Sequence, residues 1–129
     1  MKRVELIYLC DSILDDIDLA LKSYKSSKNL GLFDIFGGES ITSLAKRNKI
    51  KKAKKFVRSL EEKLRILKKE LKYVDNYDID DISNIDIFFD IFLDNTLSDL
   101  YLQNKIKKSI LKLEELRYKV EDIKRSLQI

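Results

Sequence analysis

The chain has no histidine, no proline and no tryptophan, a single cysteine, and only three glycines in 129 residues. Each absence closes a route. Without histidine the usual general base of nucleophilic catalysis is missing, and so are the Cys/His sets that hold structural zinc. Cys10 has no second cysteine for an intrachain disulfide, and a reducing cytoplasm is the expected compartment. Without proline nothing forces a helix to break. Long apolar runs are missing too. The most apolar window, Ile85 to Leu93, is interrupted by Asp86 and Asp90 and falls far short of a membrane span. The opening residues Met1-Lys2-Arg3-Val4-Glu5 lead into helix-patterned sequence with acids at Asp11, Asp15, Asp16 and Asp18, which is not the pattern of a signal peptide.

What remains is 44% hydrophobic and 37% charged, with a net charge of +4. A chain rich in Leu, Ile, Lys and Glu propagates helix well. Its length fits one domain, residues 1–129, with a core of modest size.

The organising feature is a repeat. Phe33-Asp34-Ile35-Phe36 recurs as Phe89-Asp90-Ile91-Phe92, and Asn48-Lys49-Ile50-Lys51-Lys52 recurs as Asn104-Lys105-Ile106-Lys107-Lys108. Both pairs are offset by 56, so residues 33–73 align with 89–129 without a gap and match at 14 of 41 positions. The expected organisation is a first helix at 3–28, repeat one at 33–73, an acidic connection at 74–84 and repeat two at 85–129.

In the first helix Leu6, Cys10, Ile13, Ile17, Ala20 and Tyr24 form an apolar stripe at spacings of three and four, widened by Leu9, Leu14 and Leu21. Lys22, Lys25 and Lys28 fall near its expected end, where Gly31 would cap it. In repeat one, Gly37-Gly38 predicts an irregular link, 40–46 a short helix, and Asn48 the N-cap of a helix over 49–73. That helix carries Ile50, Ala53, Val57, Leu60, Leu64, Leu67 and Leu71, an unbroken heptad seam. In repeat two Leu93-Asp94 replaces the glycine pair, Asn104 takes the capping position, and 105–128 presents Ile106, Ile110, Leu113, Leu116, Val120, Ile123 and Leu127. The fold class predicted is all-α: an antiparallel helical bundle of three long amphipathic helices and two short aromatic-rich segments, internally duplicated.

Charge is segregated along the chain. Residues 46–72 hold 13 Lys and Arg against three Glu, and 74–99 hold eight Asp and no base. Lys51, Lys52, Lys54, Lys55 and Arg58 form a basic stripe that could neutralise phosphates by counterion release. The plainer reading sets the acidic segment beside that helix, or leaves its charges to solvate it.

Other candidates carry less. Asp86, Asp90 and Asp94 share a helix face, yet lack the spacing of a calcium loop, and a solvated or lysine-paired face is the reading taken. Gly37-Gly38 ahead of Ser40 and Thr42 has no preceding strand and no Gly-Lys-Ser/Thr sequence, so a tight turn accounts for it. Asp34 and Asp90 are read as capping or lysine-paired residues, and Phe33, Phe36, Phe89 and Phe92 as junction plugs. Cys10 on the apolar stripe is expected to be a buried, inert thiol. No catalytic residue, metal ligand or cofactor-binding residue is expected.

Leu32 to Gly38, Ile41, the run Lys46 to Ile50 and Ala53, with Phe88-Phe89-Asp90, Asp94-Asn95, Asp99 and Lys105-Ile106 in the second half, resemble a small uncharacterised family of all-helical bacterial cytoplasmic proteins. That resemblance covers about two thirds of the chain. It implies a helical fold and no activity.

The expected function is a non-catalytic helical interaction or scaffold protein, cytoplasmic, pairing with a protein partner or with itself as a homodimer through coiled-coil-like seams. The alternative is a nucleic-acid-binding module that uses the basic helix 46–72. It requires the basic face to stay clear of the aspartate-rich segment.

Overall fold

A helix starts where its first free amides find acceptors. At the N-terminus the Lys2 carbonyl accepts the first helical bond, from the Leu6 amide at 3.0 Å. The Glu5 carboxylate reaches back to the Lys2 amide at 3.4 Å, which is one half of a capping box. From there α1 runs over Arg3–Asp34. The computed structural model describes residues 1–34, 39–74, 79–96 and 106–128, with side chains over 1–26, 51–74, 84–94 and 107–128.

α1 is longer than its expected 3–28, and Gly31 does not end it. The chain passes through Gly31 in helical form up to Asp34, so Lys22 and Lys25 lie in the helix interior and not at its C-terminal end. α2 runs unbroken over Glu39–Leu71. It replaces the expected short helix at 40–46 and the capped helix at 49–73, and Asn48 sits inside it, nine residues past its start. An isolated Asn costs well under ~1 kcal/mol in a helix interior, too little to break a helix held along its length by packing. α2 closes in a tight turn, with the Tyr73 and Val74 amides donating to Glu70 and Leu71 carbonyls at 3.1 and 3.3 Å.

α3 occupies Ile79–Ile91 and so takes up half of the stretch expected to be a connection. It passes directly into a five-residue π-helical stretch, Phe92–Thr96, which contains Leu93-Asp94, the pair that aligns with Gly37-Gly38 at the offset of 56. α4 spans Ile106–Gln128. Phe36, Gly37, Gly38, Asp75, Asp78 and the Asn104 cap lie outside the described residues. Apart from the first two residues and the turn after α2, the described residues are helical, and none of them is in a strand.

α1 packs against both α2 and α4, and α3 packs against α2. The Met1 ammonium meets Glu70 at 2.9 Å and Lys63 meets Asp16 at 2.8 Å, so α2 runs opposite to α1. Lys124 with Asp11 (2.5 Å), Arg117 with Asp18 (2.7 Å) and Lys25 with Glu114 (3.2 Å) set the same opposition for α4. The α1 stripe is fully buried from Leu6 to Tyr24. The heptad seam is likewise buried in α2 (Ala53, Val57, Leu60, Leu64, Leu67, Leu71) and in α4 (Ile110, Leu113, Leu116, Val120, Ile123, Leu127), with Ser109 buried beside Ile110. At the offset of 56 the six buried α2 positions match Ser109, Leu113, Leu116, Val120, Ile123 and Leu127, while Ile110 is buried where α2 has the half-buried Lys54. Phe89, Phe92 and Leu93 close the same core from α3 and the π-helical stretch, and the Phe88 ring lies 6.4 Å from Phe92 in a stacked arrangement. Lys119 of α4 stands 5.7 Å above Phe88.

Burying one such Leu contributes about 1.5–3 kcal/mol. Leu64→Ala should therefore lower the unfolding free energy by about 2–5 kcal/mol, while Leu111→Ala, on the exposed face of α4, should stay within about 0.5 kcal/mol. Asn48→Ala separates a cap from a helix interior. Urea denaturation should show no loss and a gain of a few tenths of a kcal/mol, whereas a cap would cost about 1 kcal/mol.

Candidate polyanion-binding surface

The side of α2 opposite its buried seam is set by the same periodicity. Stepping by three or four residues from Lys51 gives Lys55, Arg58, Glu62, Arg65, Lys69 and Tyr73, and every one is exposed. At ~1.5 Å of rise per residue this line is about 33 Å long. It carries five cations and one carboxylate, and ends on an aromatic ring. Of the residues singled out from sequence, Lys51, Lys52, Lys55 and Arg58 are exposed, and Lys54 is half-buried on a flank. Arg65, Lys69 and Tyr73 lie beyond the densest basic run, which is the part of the line that composition marks. The signal for them was the heptad seam itself, read half a turn round.

Three cations toward the C-terminal end of α2 are engaged sideways. Lys63 reaches Asp16 of α1. Toward α3, Lys68 pairs with Asp90 and Lys72 stands 3.7 Å from Asp86. The hydrogen bond to Asp90, helped by the charges of Asp86 and Asp94, raises the Lys68 ammonium above its ordinary value. Asp86 Oδ1 is buried and accepts no hydrogen bond, so Lys72 answers it by charge alone and from a distance. On the outer line, Arg65 bonds Glu61 at 3.0 Å. Lys51, Lys55, Arg58 and Lys69 have no carboxylate partner among the described residues. The described aspartates of the acidic segment thus engage the C-terminal part of α2 and leave its middle clear.

α4 shows what an ordinary solvated face looks like in this fold. The positions of α4 equivalent to the α2 line are Lys107, Leu111, Glu114, Tyr118, Glu121 and Arg125, with charges of both signs in equal number. Its grooves follow suit. A 740 Å³ groove between α1 and α4 is lined by Asp18, Lys25, Glu114, Arg117 and Glu121, which are tied to one another in ion pairs. A smaller cleft of 330 Å³ at the C-terminal end of α2 is lined by Arg65, Lys68, Lys69, Lys72, Tyr73 and Leu93, with no acid among them.

Cys10 lies in the core between α1 and α4, and burial pushes its thiol from an ordinary value of 9.0 to about 12. Among the described residues no group of three or more carboxylates or thiols comes together to hold a metal ion. None of their helices is long and apolar enough to cross a membrane. No family model matches the chain, and no curated protein or solved structure shows significant similarity to it.

A thiol whose ionisation is raised by folding contributes stability that is complete below its unfolded value and declines as pH climbs past it. Native protein at pH 8 should leave Cys10 unreacted with Ellman's reagent, and urea should release the full signal. In Cys10→Ala the fall of stability between pH 9 and 11 should be shallower than in the wild type.

Proposed function

We propose that the protein is a non-catalytic helical binding module that engages the phosphate backbone of nucleic acid through the outer face of α2. One observation carries this reading. Two helices with equivalent buried seams differ on their outer faces, and only one of them is cationic. A face that merely needs to be wetted can mix its signs, as that of α4 does. Five cations against one carboxylate along about 33 Å match instead a regularly charged polyanion, whose condensed counterions they would release.

The burial of corresponding positions in α2 and α4 also supports reading the chain as a duplicated unit. In that reading one copy has kept a structural surface and the other carries the binding line. The seam residues of α2 are covered inside the chain, so they offer little to a coiled-coil partner. Self-association or protein docking finds support elsewhere, in Ile87 and Ile91, one turn apart on α3 and both exposed. A monomeric mass by light scattering over a hundredfold range of concentration would remove self-association. The compartment remains, on this reading, the cytoplasm, where nucleic acid is at hand.

The test is fluorescence anisotropy with labelled duplex DNA, single-stranded DNA and RNA at low and near-physiological salt. Affinity should fall steeply with salt, and the triple variant Lys51→Glu, Lys55→Glu, Arg58→Glu should reduce the log–log slope for duplex by about 2 to 3. Lys54→Glu, on the half-buried flank, should have a much smaller effect. An absence of binding to all three probes at low salt would overturn the reading.

A further inference from the structure

The basic line of α2 ends on a side chain that phosphate recognition does not call for. Tyr73 is 73% exposed, one turn beyond Lys69, at the rim of the 330 Å³ cleft. Large aromatics are normally drawn into cores or interfaces. Tyr8 and Tyr118 are exposed to a similar degree, but their settings differ. Tyr118 lines a groove of mixed sign, with Asp18, Glu114 and Glu121 beside Lys22, Lys25 and Arg117. Tyr8 lies on α1 between Glu5 and Asp11. Tyr73 alone of the three lines a cleft whose charged side chains, Arg65, Lys68, Lys69 and Lys72, are all cations.

We infer that this cleft is a base-stacking subsite, with an unpaired nucleobase lying on the Tyr73 ring and its flanking phosphates held by Lys69 and Arg65. The inference rests on the reading of α2 as a phosphate-binding face and adds a choice of ligand: single-stranded over duplex nucleic acid. The reason is geometric. In a duplex both faces of every internal base are covered by its neighbours, and an exposed ring can stack only on a base that is free. Leu93, 7% exposed, supplies an apolar wall to the cleft. Lys72 contributes a further charge and stands 3.7 Å from Asp86 without a hydrogen bond. Lys68, bonded to Asp90, is the cation least able to turn outward.

The test compares three probes of equal length: a labelled oligothymidylate, the same backbone with abasic sites, and a duplex. Binding is measured for the wild type, Tyr73→Ala, Tyr73→Phe, Tyr118→Ala and the α2 triple glutamate variant, each checked for folding by circular dichroism. The oligothymidylate should bind about tenfold more tightly than the abasic strand. Tyr73→Ala should erase that difference without changing the salt slope, and Tyr73→Phe and Tyr118→Ala should retain it. Equal binding of oligothymidylate and abasic strand, or wild-type behaviour of Tyr73→Ala, would overturn the inference. In that case salt-dependent binding lost in the triple variant would leave the phosphate-binding face standing. Failure of every probe at low salt would remove both.

Discussion

One face of α1, the line Leu6, Cys10, Ile13, Ile17, Ala20 and Tyr24, has to bury itself against two helices at once. The acids of α1 flank that face. Asp16 faces α2 and takes Lys63, while Asp11 and Asp18 face α4 and take Lys124 and Arg117. Partly exposed pairs of this kind contribute little stability each, about 0–1 kcal/mol. Their effect is one of placement, since they draw particular cations of α2 and α4 inward along the flanks. The cations that remain outward on α2 are those whose spacing puts them beyond the reach of α1. The charged face is thus a by-product of how the core is closed as well as of the local composition.

α3 applies the same rule from the other side. Its Asp86 and Asp90 lie one turn apart and meet Lys72 and Lys68, also one turn apart, across the line of contact. The plainer sequence reading set the aspartate-rich stretch beside the basic helix, or left the charges of that helix to solvate it. In the described residues the stretch is a local clamp near the C-terminal end of α2. A run of like charges in a sequence states how many partners are needed, not which turn of the neighbouring helix will supply them.

The seams were legible because burial follows periodicity. Every seam residue from Ala53 to Leu71, and from Leu113 to Leu127, is buried, as the three-and-four spacing requires. The helix limits were less legible. Gly31 and Asn48 carry local preferences for a helix end worth about 1 kcal/mol or less, and helices of 32 and 33 residues override them. Side-chain placement on the candidate face was legible for Lys51, Lys52, Lys55 and Arg58 and not for Lys54, whose position is a quarter-turn nearer the core. Tyr73 was invisible as part of that face because it falls just past the end of α2, where a composition window changes sign.

The layout of the chain also bears on how the molecule assembles. Only four residues separate the end of α1 from the start of α2, while α4 comes last and docks on α1 from far along the sequence. Contacts between near neighbours form fastest, because little chain entropy is lost in closing them. During synthesis α1 and α2 both emerge before α4, and with them Asp16 and Lys63, the two residues that pair across the hairpin in the folded chain. Until α4 arrives, the half of the α1 face reserved for it stays open to water. A helix made after both partners of the hairpin is therefore the one that seals this core.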